Sequence, residues 1–255
     1  MTEVPNRRPP GTACWASLMA HRADLARSFY GALFGWEFVP GPQQLGAYAL
    51  AVLDGQRVAG IGEGTADPHG PVSWTTMLAA DDVDLAAETV RECGGTVGIG
   101  PLNADDEGRL AIAVDPSGAV FGIWQAGRLP GADLTGVPGS VAWSELVTRD
   151  AALVAKFYQA VFGFGVGPSD GGERGRTVLT VEGRPMAGVR GAARLSRERG
   201  AHWMTYFEVA DTDASVRLSL GLGGRVLHPP HDSRHGRVVT LADPEGAPFT
   251  LVTST

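Results

Sequence analysis

Trp15-Ala-Ser-Leu-Met-Ala-His-Arg-Ala-Asp-Leu-Ala-Arg-Ser-Phe-Tyr-Gly-Ala-Leu-Phe-Gly35 returns later in the chain as Trp143-Ser-Glu-Leu-Val-Thr-Arg-Asp-Ala-Ala-Leu-Val-Ala-Lys-Phe-Tyr-Gln-Ala-Val-Phe-Gly163. The two stretches lie 128 residues apart, and Asp115-Pro116 with Gly118 returns at the same distance as Asp243-Pro244 with Gly246. Between them the spacing is 129, from Trp74 to Trp203 and from Gly94-Gly95 to Gly223-Gly224. A chain written twice sets its own domain count, and every candidate position can be read in two copies.

The copies also dictate local structure. Trp143–Thr148 is short and apolar and predicts a strand. Asp150 is a good helix N-cap, and the spacing of Leu153, Val154, Phe157, Val161 and Phe162 predicts a helix over 151–162 that Gly163 stops. Strands follow around 177–181 and 185–189, with Glu182-Gly183 as the turn. The pattern then restarts: a strand over 203–209, a helix over 211–222 stopped by Gly223-Gly224, and strands over 238–241 and 248–253 hinged on Asp243-Pro-Glu-Gly246. Strand–helix–strand–strand–strand therefore occurs four times. The expected division is a disordered lead over 1–11, a first domain over 12–127, a Pro/Gly-rich linker over 128–139 and a second domain over 140–255.

Bulk properties narrow the function. The 255 residues suffice for two domains, and 44% are hydrophobic, so each can build a core. A net charge of −7 without a Lys/Arg run argues against nucleic acid and anionic membrane surfaces. Cys14 and Cys93 are the only cysteines and the second copy has neither, which argues against a disulfide framework and for a cytoplasmic protein. No stretch approaches the ~20 apolar residues of a membrane span. An internal pseudo-dimer makes a monomer or a homodimer the expected state.

The Phe-Tyr-x-x-x-Phe-Gly helix end and the Asp-Pro-x-Gly turn, in this element order, resemble the vicinal-oxygen-chelate superfamily of glyoxalase I, extradiol dioxygenases, fosfomycin-resistance enzymes and bleomycin-binding proteins. The chain is most similar to the two-domain actinobacterial branch called glyoxalase-like or hydroxylase. Carrying that likeness are Trp143-x-Glu-Leu, Ala59-Gly60 and Ala187-Gly188, Trp203-x-Thr-Tyr, and the Gly-Arg pairs Gly108-Arg109 and Gly236-Arg237. The resemblance implies an α+β fold of tandem domains, in which four βαβββ units form half-open barrels. It also implies a metal held inside by His, Gln or Glu on the first strand of each unit and by Glu near the last strand. Those positions carry Trp15, Thr75, Trp143 and Met204, then Gly122 and Thr250, with a fourth set near Gly60 and Gly188. None is a usual donor for a divalent ion, so the sequence predicts no metal and no other cofactor.

Strand alternation then assigns the interior. In the first copy Trp15, Ser17, Met19, Thr75, Met77, Ala79 and Trp124 are expected to face inward, Trp124 sharing its face with Val120 and Gly122. In the second the inward set is Trp143, Glu145, Val147, Met204, Tyr206 and Glu208, with Thr250 on the last strand. Trp74, Trp203 and Phe207 are expected to pack beneath helices. Trp15 and Trp143 suit stacking on a planar ligand. Glu145 and Glu208 read in two ways: as carboxylates paired with Arg184 or Arg237 or reaching solvent, or as a general acid/base pair with Tyr206 orienting the substrate.

The tract His228-Pro-Pro-His231-Asp-Ser-Arg-His235 looks metal-like, but its counterpart Gly100–Glu107 holds no histidine, and Pro229-Pro230 predicts a solvated loop. His21, His69 and His202 form no usable spacing, and neither phosphate-loop glycines nor a GxSxG elbow is present. The leading expectation is a metal-independent binder of a planar apolar small molecule, serving sequestration, resistance or biosynthesis. Behind it stands a metal-free lyase, isomerase or hydroxylase using Glu145 and Glu208. A metal-dependent glyoxalase or dioxygenase comes next, and a structural module last.

Overall fold

Gly35 and Gly163 end the two repeated helices with φ of 74° and 72°, the left-handed conformation that lets the chain turn back toward the sheet. In this computed structural model, which describes residues 7–64, 70–168, 176–193, 195, 199–233 and 236–254, the first helix α1 spans Ala23–Phe34. It follows strand β1 (Ala13–Ala20) and precedes β2 (Glu37–Pro40), β3 (Ala49–Leu53) and β4 (Gln56–Glu63). The order restarts with β5 (Trp74–Ala79), α2 (Val83–Glu92), β6 (Thr96–Ala104), β7 (Gly108–Val114) and β8 (Val120–Ala126).

The second copy repeats this as β9 (Val141–Thr148), α3 (Ala151–Phe162), β10 (Gly165–Pro168), β11 (Arg176–Val181) and β12 (Arg184–Gly191). It closes with β13 (His202–Glu208), α4 (Thr212–Gly221), β14 (Arg225–Ser233), β15 (Gly236–Ala242) and β16 (Pro248–Thr253). Four βαβββ units are therefore present. Helix α3 starts where its cap predicts, Asp150 accepting from the Leu153 N–H at 2.9 Å. The Asp54-Gly55 and Glu182-Gly183 hairpins turn through positive φ at both residues, 50° and 77° in one, 51° and 75° in the other.

Each copy contributes one eight-stranded sheet, with strand orders β2-β3-β4-β1-β5-β8-β7-β6 and β10-β11-β12-β9-β13-β16-β15-β14. The first strand of a unit runs parallel to that unit's last strand, which fixes the register Ser17↔Gly60 in one copy and Glu145↔Gly188 in the other.

One expectation fails here. The His228–His231 tract is no loop but part of β14, antiparallel to β15. Its prolines are tolerated because β14 is an edge strand, where a missing N–H breaks no second ladder, and the register slips on both sides of His228. His69, His235 and residues 1–6 of the expected disordered lead lie outside the described residues. Gly11, at the end of that lead, donates its N–H to the Ala79 carbonyl at 2.8 Å. No helix among the described residues is long and apolar enough to cross a membrane.

The chain also divides into two compact units, and each takes pieces from both copies. One comprises Met1–Cys14, Thr75–Gly131 and Ser144–Trp203, the other Trp15–Trp74, Ala132–Trp143 and Met204–Thr255. In the latter, Phe29, Tyr30 and Phe34 of α1 pack with Trp36, Trp74, Phe207 and Phe249. In the former, Phe157, Tyr158 and Phe162 of α3 pack with Phe121, Phe164 and Trp203. Each such ring buried contributes about 1.5–3 kcal/mol.

The repeated motifs meet inside these cores. Tyr30 donates its hydroxyl to Asp243 at 3.1 Å and accepts from the Trp74 indole at 2.9 Å. Tyr158 does the same with Asp115 at 3.1 Å and Trp203 at 2.9 Å. Burial holds both phenols well above the usual tyrosine range. The remaining oxygen of each aspartate ties its own turn, Asp243 accepting from Ala247 N–H and Asp115 from Ser117 N–H, both at 2.8 Å. The Phe-Tyr helix and the Asp-Pro turn recur together because each tyrosine needs an aspartate from the other copy.

Candidate functional site

A missing side chain at Gly60 is what shapes the first copy. Tyr48, immediately before β3, lays its ring across Gly60 and Gly62. A Cβ on Gly60 would collide with the Tyr48 hydroxyl, and one on Gly62 would come within 2.7 Å of the ring and 2.9 Å of the Met19 sulfur. The hydroxyl accepts from the Trp15 indole at 3.0 Å and shares a 3.0 Å hydrogen bond with Ser17. Desolvation, the largest influence, raises the Tyr48 phenol, so it sits there as a neutral group. Trp15 is buried with it, and Met19 is 41% exposed.

On β5 of the other unit, Met77 is buried and lies over Gly122 of β8, its register partner. A Cβ on Gly122 would meet the thioether sulfur. Thr75 is half-buried, Ala79 is buried, and Trp124 is buried with its indole donating to the Leu129 carbonyl at 2.8 Å. Val120, expected on that face, is 44% exposed.

The second copy places charge where the first has neutral groups. The spacing of 128 sets Glu145 against Ser17, Arg176 against Tyr48 and Arg190 against Gly62. Glu145 is buried on β9, between the half-buried Trp143 and the buried Val147 of the alternating face. Its Oε1 pairs with Arg176 Nη2 at 3.2 Å and its Oε2 with Arg190 Nε at 3.0 Å. Arg176 and Arg190 stand directly opposite one another on β11 and β12. His202, half-buried in the same unit, is held below the usual histidine range, first by burial and then by Arg199 and Arg190. Its Nδ1 lies 3.0 Å from the Gly200 carbonyl, a contact that partly offsets the shift, as does Glu145. Burial also pulls the Arg199 guanidinium down.

On β13, Met204 is buried and Tyr206 half-buried. Tyr206 pairs in register with Thr250, whose hydroxyl lies 3.1 Å from that of Thr240. The buried Glu208 accepts from the Ser254 N–H at 2.8 Å and its hydroxyl at 2.7 Å. The two expected catalytic carboxylates thus belong to different units, each with its own donors. Their partners are not those the sequence suggested: Glu145 takes Arg176 and Arg190, Glu208 takes Ser254, and Arg237 pairs with Asp213 at 2.7 Å and Asp232 at 3.0 Å. Trp74, Trp203 and Phe207 pack beneath helices as expected.

The metal implied by the fold family can be tested against these residues. The positions that the resemblance assigns to it carry Trp15, Thr75, Trp143 and Met204, and on the final strands Gly122 and Thr250. The space beside Gly60 is filled by Tyr48 and that beside Gly122 by Met77. The described residues contain no group of three His, Cys, Asp or Glu able to hold an ion. These residues do not fit the family's metal. Of the thiols, Cys14 is buried and pushed up to about 12 by desolvation, which leaves it inert.

Sequence reading missed Tyr48, Arg176 and Arg190. Tyr48 and Arg176 precede or open their strands and Arg190 lies late in β12, so none falls on the ligand positions of the family. Setting Tyr48 against Arg176 and Gly62 against Arg190 across the repeat is the signal that finds them.

Comparisons with known proteins agree with this architecture. A family model described as "Glyoxalase-like domain" matches residues 143–252. Over 96% of this chain and 94% of the relative, the sequence is 38% identical to the anthracycline biosynthesis protein DauV of a Streptomyces species. It is 34% identical to the putative glyoxylase CFP32 of Mycobacterium tuberculosis, over 95% of this chain and 94% of the relative. Among solved structures, the Mn(II)-bound glyoxalase from Novosphingobium aromaticivorans superposes with a TM-score of 0.62 at 17% identity, covering 95% of this chain and 83% of that one. At that identity the likeness is one of fold.

Proposed function

From the premise that this chain belongs to the glyoxalase-like family with the vicinal-oxygen-chelate fold, we propose that it is a metal-independent binder of a planar, largely apolar natural product, acting in sequestration or as a biosynthetic accessory. The observation that carries this reading is the filling of the metal positions by the protein's own side chains, Tyr48 over Gly60 and Met77 over Gly122. A relative named for the biosynthesis of anthracyclines, which are flat polycyclic aromatics, supports the ligand class. Trp143 supports it too: it is a large flat ring left half-buried on β9.

Glu145 and Glu208 take holding roles in this reading. A carboxylate clamped by two guanidiniums, or saturated by a backbone N–H and a hydroxyl, is poorly placed to exchange protons with a substrate. Tyr206 is then a lining group with Met204 and Thr250 in its own unit. We keep 12–127 and 140–255 as the limits of the two duplicated domains, joined by 128–139.

Tryptophan quenching by a panel of polycyclic quinones, with and without EDTA, tests the reading. Saturable one-to-one quenching that EDTA leaves unchanged is the expected result. Binding that EDTA abolishes and Mn(II) restores would overturn it.

A further inference from the structure

Hydroxyl groups gather on one face of the unit made of Trp15–Trp74, Ala132–Trp143 and Met204–Thr255. Ala16 and Leu18 of β1, Ala59 of β4, Phe207 of β13 and Leu251 of β16 pack in the core with α1. Strand alternation turns Trp15, Ser17 and Gly60 to the opposite face, together with Met204, Tyr206 and Thr250. Thr240 joins them as the register partner of Thr250, which is itself paired with Tyr206. Trp15, Tyr48 and Met204 are buried although they lie outside that core, and Thr250 is buried beside the half-buried Tyr206 and Thr240. The unit therefore folds around this face and leaves part of it open.

Strand pairing does not call for hydroxyls there. In the other unit the row that corresponds to Tyr206, Thr250 and Thr240 is Met77, Gly122 and Ile112, held in the same register without a polar side chain.

Each pair of hydroxyls has a hydrogen to spare. The Trp15 indole can only donate, and it occupies a lone pair of the Tyr48 oxygen. Tyr48 and Ser17 then share a single hydrogen bond, and whichever of the two donates in it, the other keeps its own O–H. Thr240 and Thr250 share one bond of 3.1 Å in the same way, and again one O–H remains. Neither pair has a further hydrogen-bond partner among the described residues. Both pairs are uncharged, since burial keeps Tyr48 neutral, and Glu208, next on the Tyr206 face of β13, has both oxygens bonded to Ser254. A shielded O–H without an acceptor costs free energy, and a carbonyl oxygen, with two lone pairs and no hydrogen, is its complement.

We infer that this unit holds its ligand by uncharged carbonyl oxygens, which accept the spare O–H of the Ser17–Tyr48 pair and that of the Thr240–Thr250 pair. A quinone is the chemical class that fits. The inference rests on the planar-ligand reading above and adds the handle by which such a ligand is oriented.

Matched probes test it on the full-length protein. Anthraquinone-2-sulfonate is compared, by calorimetric titration, with anthracene-2-sulfonate, which has the same ring skeleton and charge but no carbonyl. The quinone should bind at least about fivefold more tightly. Ser17→Ala with Tyr48→Phe, or Thr240→Val with Thr250→Val, should each cut that advantage at least about twofold. All four substitutions together should bring the quinone down to the affinity of its counterpart. An advantage unchanged in these variants overturns the inference. Should a variant not fold, the infrared carbonyl band of the labelled quinone bound to wild type decides. A band below its position in aprotic solvent upholds the donors, and an unshifted band overturns them.

Equal affinity of wild type for the two sulfonates overturns the hydroxyl handle and leaves the planar-ligand reading standing. Binding of neither overturns that reading, and the inference falls with it.

Discussion

Ser17 and Glu145 occupy the same strand position in the two copies, and each faces a glycine across a parallel pair, yet they solve opposite problems. Ser17 shares a hydrogen bond with a tyrosine that fills the space above Gly60. Glu145 holds apart two arginines that would otherwise repel one another. The first arrangement uses neutral groups. The second buries a carboxylate between two guanidiniums. Duplication supplied the same strand pairing twice, and the neutral version in one copy shows that the pairing does not itself require the charges of the other.

The strongest test of the contrast removes the anion. Glu145→Ala should destabilise the protein by about 2 kcal/mol in urea unfolding, since it removes the buried carboxylate that both guanidiniums pair with, an effect that their part exposure softens. Ser17→Ala should cost about 1 kcal/mol, the worth of one hydrogen bond. Equal costs would mean that the two copies hold their strands in the same way.

Filling the glycines sharpens the comparison. Gly60→Ala must displace the rigid Tyr48 ring and its two hydrogen bonds, at about 2–3 kcal/mol, whereas Gly122→Ala meets a flexible thioether and should cost about 1 kcal/mol. Melting curves that reverse this order would show that Met77, not Tyr48, is the tighter plug.

Tyr48→Phe is subtler. It leaves the ring in place but deprives the Trp15 indole of its acceptor, for about 1–2 kcal/mol, and should shift the Trp15 emission.

The smallest expected effect is one of pH. Burial raises the Tyr48 phenol above 10.0, so the fold favours its neutral form. That contribution is complete below pH about 10 and is lost as pH climbs through the higher folded value, with a slope of at most about 1.4 kcal/mol per pH unit. Wild type should therefore lose stability faster than Tyr48→Phe in alkaline urea titrations, with Tyr30 and Tyr158 contributing equally to both proteins. Parallel slopes would mean that Tyr48 reaches solvent.

Much of the fold was legible because it rests on local signals. The Phe-Tyr helix, its terminal glycine, the Glu182-Gly183 hairpin and the Asp-Pro turn each act within a few residues, and the helix and the Asp-Pro turn recur at a fixed distance. The edge strand β14 was misread because Pro229-Pro230 disfavours a strand locally, whereas its place at the end of a sheet removes the objection. The site was less legible. Strand alternation put Glu145 and Glu208 on the right strands, but their partners come from other elements: Arg176 and Arg190 from β11 and β12, and Ser254 from beyond β16. Pairing at such distances is set by packing, which one sequence does not display. The crosswise bonds of Tyr30 to Asp243 and Tyr158 to Asp115 escaped for the same reason.

Those crosswise bonds govern how the chain is made. Synthesis proceeds toward the C-terminus, so α1 with its row of aromatic residues emerges before the later strands that cover it. Its partners Phe249 and Leu251 leave the ribosome more than two hundred residues later. The nascent chain therefore carries an open apolar surface while the intervening residues are made, and α1 finds its full complement of neighbours only once these two have emerged. Folding of this protein is set by its long-range contacts rather than by the order in which its parts appear.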